Sequence, residues 1–68
     1  MSLYRVKTWI ESFGEPLALT RASMKCMPFL AKLGLSLREA TPETTVPNDT
    51  MNAVRSVATE VVGKPCPY

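Results

Sequence analysis

Nothing in this chain is equipped to staple a fold of its size. It has 68 residues, enough for one domain at most, and a lone core of that length contributes only ~3–5 kcal/mol of net stability. Folding at this size hides only about 60% of the surface that the unfolded chain exposes. Small domains therefore usually add a metal, a disulfide framework or a partner surface, and each leaves its mark on the residue inventory.

There is no histidine, and the only cysteines are Cys26 and Cys66. Structural zinc takes four Cys or His ligands, usually in closely spaced pairs. The acids Glu11, Glu15, Glu39, Glu43, Asp49 and Glu60 are scattered, without the alternating oxygen ligands of a calcium loop. No metal and no other cofactor is expected. One disulfide would stabilise by ~3–4 kcal/mol if its geometry fitted, but disulfide-held secreted domains are cysteine-dense. Residues 1–14 do not read as a secretory signal, because Arg5, Lys7 and Glu11 interrupt their apolar run. The expectation is two reduced thiols, with Cys26 a small buried residue. By elimination a partner is the favoured staple. The apolar content of 46% is ordinary for a globular protein and too high for a disordered tail.

Periodicity predicts a mostly α chain: two to four short amphipathic helices joined by Pro-rich linkers, an extended C-terminal tail, and a small core completed by a partner. In residues 2–13, Leu3, Val6, Ile10 and Phe13 recur at three- and four-residue steps on one helical face. Ser2 is available as N-cap, and Gly14 with Pro16 marks the stop. A strand competes there, because Tyr4, Val6, Thr8 and Ile10 also alternate. In residues 17–38 one stripe runs through Leu19, Ala22, Cys26, Phe29, Leu30, Leu33 and Leu37, with Arg21, Lys25 and Lys32 on a neighbouring stripe. Pro28 removes a backbone donor and clashes with the preceding turn. It predicts a break near Met27, with helices over 17–27 and 28–37.

Residues 40–49 read as a linker, a crossing segment with no sheet partner, since Pro42 and Pro47 bias their predecessors to extended backbone. Residues 50–62 form the best-marked helix. Asp49 stands at its start, Met51, Val54, Ala58, Val61 and Val62 share a face, and Gly63 and Pro65 close it. Its valines lower helix propensity and it is short, so its apolar face must dock on something. Residues 63–68 are too proline-rich for regular structure.

Catalysis has little to work with. No histidine is present for proton transfer near neutral pH. Glu11 and Glu15 straddle Gly14, and Cys26 falls on the apolar stripe rather than in a cationic pocket. The expectation is no enzyme. Partner contacts are expected at Trp9, Phe13, Phe29, Leu30, Leu33, Val54, Val61 and Tyr68, drawn from the apolar stripes and aromatic anchors of these segments. Trp9 has an equal claim to cover the chain's own core.

Arg21, Lys25 and Lys32 are candidates to meet lipid headgroups or phosphate, or to form a solvated face. Each would be costly inside a bilayer, so residues 17–38 are not expected to span one. Nucleic acid is an unlikely partner at a net charge of +2. The sequence thus points to an accessory or structural subunit that packs amphipathic helices onto other subunits of a larger intracellular assembly. Residues 1–34 carry five basic residues and two acids, a balance that suits mitochondrial import and favours a mitochondrial membrane complex. The alternatives are a peripheral module on an anionic membrane surface and a small homodimeric regulator.

Overall fold

A computed structural model describes residues 2–68. Three α-helices run in the order α1 (Leu3–Glu11), α2 (Ala18–Leu30) and α3 (Asn48–Val62), with a single 3-10 turn at Ala31–Leu33 after α2. The radius of gyration is 10.4 Å. The solvent-accessible surface of 4134 Å² is close to the roughly 4,200 Å² that a folded monomer of this mass exposes, so the helices close on one another rather than lying splayed.

The first segment resolves as helix. Ser2 caps it, its hydroxyl accepting from the Tyr4 amide at 3.2 Å, and Leu3, Val6 and Ile10 are its buried face. The helix ends at Glu11, and the chain turns at Gly14, whose φ of 72° is left-handed. That conformation costs glycine least.

α2 corrects the expectation of a break at Pro28. The helix passes through Pro28 to Leu30 without interruption. The missing proline N–H leaves the Met24 carbonyl without its helical donor. Both residues are exposed, and a carbonyl on the outer side of a helix can turn to water. The expected second helix over 28–37 is reduced to the 3-10 turn, closed by Gly34 at φ 71°. The Leu35 amide donates to the Leu30 carbonyl at 3.1 Å and the Gly34 amide to that of Ala31 at 3.0 Å, so the last carbonyls of the helix are satisfied.

The crossing segment also differs from expectation. It finds a partner in the start of α1: Ser2 and Thr45 form one isolated antiparallel bridge. The Leu3 amide donates to the Thr44 carbonyl at 3.1 Å, and the Ser2 hydroxyl donates to the Pro42 carbonyl at 3.2 Å. The first amides of a helix have no internal acceptor, and the crossing supplies one. Leu37, Ala40 and Val46 reach the core from this irregular stretch.

α3 starts two residues earlier than the sequence suggests. Pro47 takes the N-cap position, and its carbonyl accepts from the Met51 amide at 2.9 Å. Asp49 therefore lies in the first turn rather than at the cap, where its charge suits the positive helix end. Gly63, at φ 73°, ends the helix. The tail has no regular structure and is held along the surface. The Cys66 amide donates to the Thr59 hydroxyl at 3.3 Å, Arg55 donates to the Tyr68 carbonyl at 2.9 Å, and Lys64 Nζ sits 4.6 Å from the Phe13 ring centre.

The core is a single cluster of thirteen apolar residues drawn from all three helices and the crossing, with no buried polar side chain among the described residues. α2 packs most extensively on α3, and α1 covers both. Ile10 is fully buried. Ile10→Ala is expected to cost ~2–5 kcal/mol, enough to unfold most of a chain with this little reserve. Met24→Ala, on the outer side of α2, is expected to stay within about 0.5 kcal/mol of wild type. Urea titration followed by circular dichroism checks both, and equal losses would refute the assignment of inner and outer faces.

Candidate functional site

α2 is apolar on more than its buried side. Its buried side is small: Ala18, Ala22 and Cys26 at four-residue steps, then Leu30. Three large apolar residues point outward instead, with Leu17 just before the helix 64% exposed, Met24 63% and Met27 59%, while Leu19 packs half-buried against the core. A helix serving only its own core would bury the large residues and expose the small ones, because each buried Leu or Met side chain is worth ~1.5–3 kcal/mol. Small residues inward let α2 approach α3 closely, and Ala58 on α3 is likewise small and fully buried. The helix is consequently apolar on two sides, a pattern found where a helix is covered on both.

The outer sector is continuous. At ~100° per residue, Leu17, Met24 and Pro28 fall within one narrow strip and Met27 lies along one edge. Thr20 and Ser23 continue that edge, where the Arg38 guanidinium reaches the Thr20 hydroxyl, whereas Arg21 and Lys25 occupy the opposite one. Lys32 follows in the 3-10 turn. Arg21 pairs with Glu15 at 3.4 Å and Lys25 with Glu60 at 3.5 Å, all four side chains being at least half exposed. Such pairs are worth only about 0–1 kcal/mol. Lys32 has no ion-pair partner among the described residues. Arg38, by contrast, is tied down by its hydrogen bond to the Thr20 hydroxyl.

The residues read from the sequence as partner contacts divide three ways. Leu30 and Val54 belong to the chain's own core, which corrects their assignment to a partner contact: α2 and α3 pack on each other, and both residues are buried within the fold. Trp9, Phe13, Phe29 and Val61 are half-buried. Trp9 packs against the core cluster and meets Phe13 edge to face, with centroids 5.2 Å apart. Leu33 and Tyr68 are exposed at 42% and 37%. Arg5 stacks over the Tyr68 ring at 5.7 Å, so Tyr68 is partly engaged within the chain.

Sequence reasoning missed Leu17, Met24 and Met27. The signal was there in outline: the segment 17–30 holds only two charges, too few for a helix with one solvated face.

Elsewhere the surface is polar. The groove between α3 and the tail is shallow and lined by Asn52, Arg55, Ser56, Thr59, Cys66 and Tyr68. No group of three or more His, Cys, Asp or Glu side chains converges among the described residues. No described helix is long and apolar enough to cross a membrane. No family model matches the chain, and neither a curated protein nor a solved structure is significantly similar to it.

The two cysteines are both free, Cys26 buried and Cys66 half-buried. Burial among apolar side chains pushes the Cys26 thiol up from 9.0 to about 11, because desolvation disfavours the thiolate. In native protein at pH 8, Cys66 is expected to react with a thiol reagent well before Cys26, which becomes reactive only on unfolding. The folded chain also holds the Cys26 proton over a range where the unfolded chain releases it. Its contribution to stability is therefore intact below pH 9.0 and falls away as the pH rises to about 11. Urea titrations at pH 8 and pH 10.5 check this: wild type should lose more stability between them than Cys26→Ala. Equal labelling of the two thiols, or equal losses, would contradict the buried assignment.

Proposed function

We propose that this chain is a non-catalytic accessory subunit that docks the outer face of α2 on another protein of a larger intracellular assembly. The observation that carries the reading is the outward placement of Leu17, Met24 and Met27 on a helix whose small residues fill the core. Covering such a face removes apolar area from water at ~25 cal/mol per Å². Methionine suits it, being unbranched and able to repack against irregular partners. Leu33, exposed in the 3-10 turn after α2, adds apolar surface beyond the end of the helix. A mitochondrial membrane complex is the setting that the basic, acid-poor first half favours.

A second reading rests on Arg21, Lys25 and Lys32 along one edge of the same face. There the chain lies on an anionic membrane, with the methionines at the headgroup boundary. In that case flotation with anionic vesicles succeeds at low salt and fails at high salt.

The test places a photo-crosslinking residue at Met24 and, as a control, at exposed Glu43 in the crossing segment. Crosslinking to a defined protein is expected from position 24 only. Met24→Asp should weaken binding of that purified partner by about tenfold or more while leaving helicity and melting temperature unchanged. Equal crosslinking from both positions, or undiminished binding by Met24→Asp, would overturn the reading.

A further inference from the structure

We infer that the outer face of α2 carries an oxidation switch: peroxide converts Met24 and Met27 to sulfoxides and thereby turns docking off; this rests on the docking reading above. The fold sorts the sulfur atoms of α2 and α3 into two groups. Met24 and Met27 stand outside at 63% and 59% exposure, whereas Met51, at 1%, and Cys26, at 0%, are sealed in the core. Met24 and Met27 are three residues apart, about 60° around the helix, and so share one turn of the outer face. Both thioethers are open to a dissolved oxidant, and both lie within the surface that docking would cover. Cys66, in the tail, is half-buried and is the competing target among the described residues.

The step needs hydrogen peroxide as its only co-reactant. The thioether sulfur attacks one peroxide oxygen; an S–O bond forms, the O–O bond breaks, and the second oxygen leaves as water. Sulfur gives up two electrons and the peroxide takes them. A polar, chiral group then stands where a flexible apolar one was. Its oxygen is a hydrogen-bond acceptor, and covering it without a donor is unfavourable. A partner shaped to cover two thioethers therefore loses affinity for two sulfoxides. The fold itself tolerates the change, because neither side chain belongs to the core cluster or packs against it. Met51 is the opposite case, since its oxidation would place the same oxygen inside an apolar core. Sulfoxide reductases reverse the step at the cost of two thiols: the sulfoxide returns to thioether, the thiols join as a disulfide, and the oxygen leaves as water. The switch acts on the undocked chain, since a docked partner would shield both sulfurs.

The experiment exposes the full chain to graded hydrogen peroxide at neutral pH. Cleavage after Lys and Arg puts Met24, Met27 and Met51 on separate peptides, so mass spectrometry follows each sulfur by itself. Met24 and Met27 are expected to take up oxygen at least about tenfold faster than Met51. The doubly oxidised chain is expected to keep its circular dichroism spectrum and melting temperature and to elute earlier from a phenyl-substituted column. Treatment with epimer-specific methionine sulfoxide reductases should restore its retention. The double substitution Met24→Leu with Met27→Leu keeps the face apolar but removes both sulfurs, and its retention should not respond to peroxide. Oxidation of Met51 as fast as the outer pair, melting of the fold on oxidation, or unchanged retention would each overturn the inference. So would an equal response of the leucine variant, which places the effect elsewhere in the chain. A photo-crosslinking residue at Leu17, on the same strip, separates the inference from the reading beneath it. Crosslinking to the partner captured from position 24 is expected before peroxide and not after. A yield that peroxide leaves undiminished overturns the switch and keeps the docking face. Absence of any defined partner before peroxide overturns the docking reading, and the switch falls with it.

Discussion

α2 and α3 make the most extensive helix-on-helix contact of the fold, and both bury small side chains. Ala18, Ala22 and Cys26 line the inner side of α2, and Ala58 is fully buried on α3. The distance between packed helices follows the size of the residues at the contact, so this pairing brings two backbones close together. The bulk needed to fill the remaining space comes from elsewhere: Leu3, Val6 and Ile10 on α1, Met51 and Val54 on α3, and Leu37 from the irregular crossing. α1 lies over the paired helices, and the crossing is fastened to its first turn by the hydrogen bonds of Ser2 and Leu3. A core assembled in this way uses nearly every apolar stripe of the chain without placing a polar side chain inside.

One consequence is that α2 is left with Leu17, Met24 and Met27 on the solvent side. The core has no room for Leu17, Met24 or Met27, because the close contact with α3 is made by alanine and cysteine. The apolar groups that the core does not use therefore lie at a surface rather than at the centre. Thirteen residues shield one another, and the unshielded apolar area is concentrated along one helix. Pro28 belongs to the same surface. On the inner side it would have left a buried carbonyl without a donor, a cost of ~1–3 kcal/mol, whereas on the outer side water can take the donor's place.

The charged groups follow the same division. Among the described residues the ion pairs and cation–ring contacts are at the periphery, where they contribute little energy and define edges. Arg21 and Lys25 border the outer face of α2, while Arg5, Arg55 and Lys64 hold the tail against α1 and α3. The tail is thereby fastened to α1 and α3.

Local chemistry in the chain was enough to determine that it would be helical, where α1 and α3 would stop, and which of their residues would turn inward. Leu3, Val6 and Ile10, or Met51, Val54 and Ala58, have only one apolar side to offer, and glycine at positions 14 and 63 ends each helix in the one conformation that it adopts most easily. For α2 periodicity also found the inner side, since Ala22, Cys26 and Leu30 of the stripe read from the sequence are buried. What it did not show is that Leu17, Met24 and Met27 would stay outside as a second apolar strip, which depends on how α2 packs against the rest of the fold. The same packing decided that Pro28 would be carried inside a continuous helix, that Leu37 would enter the core from a loop, and that Ser2 would pair with Thr45. Each of those depends on contacts between residues distant in the chain, whose energies no local pattern records.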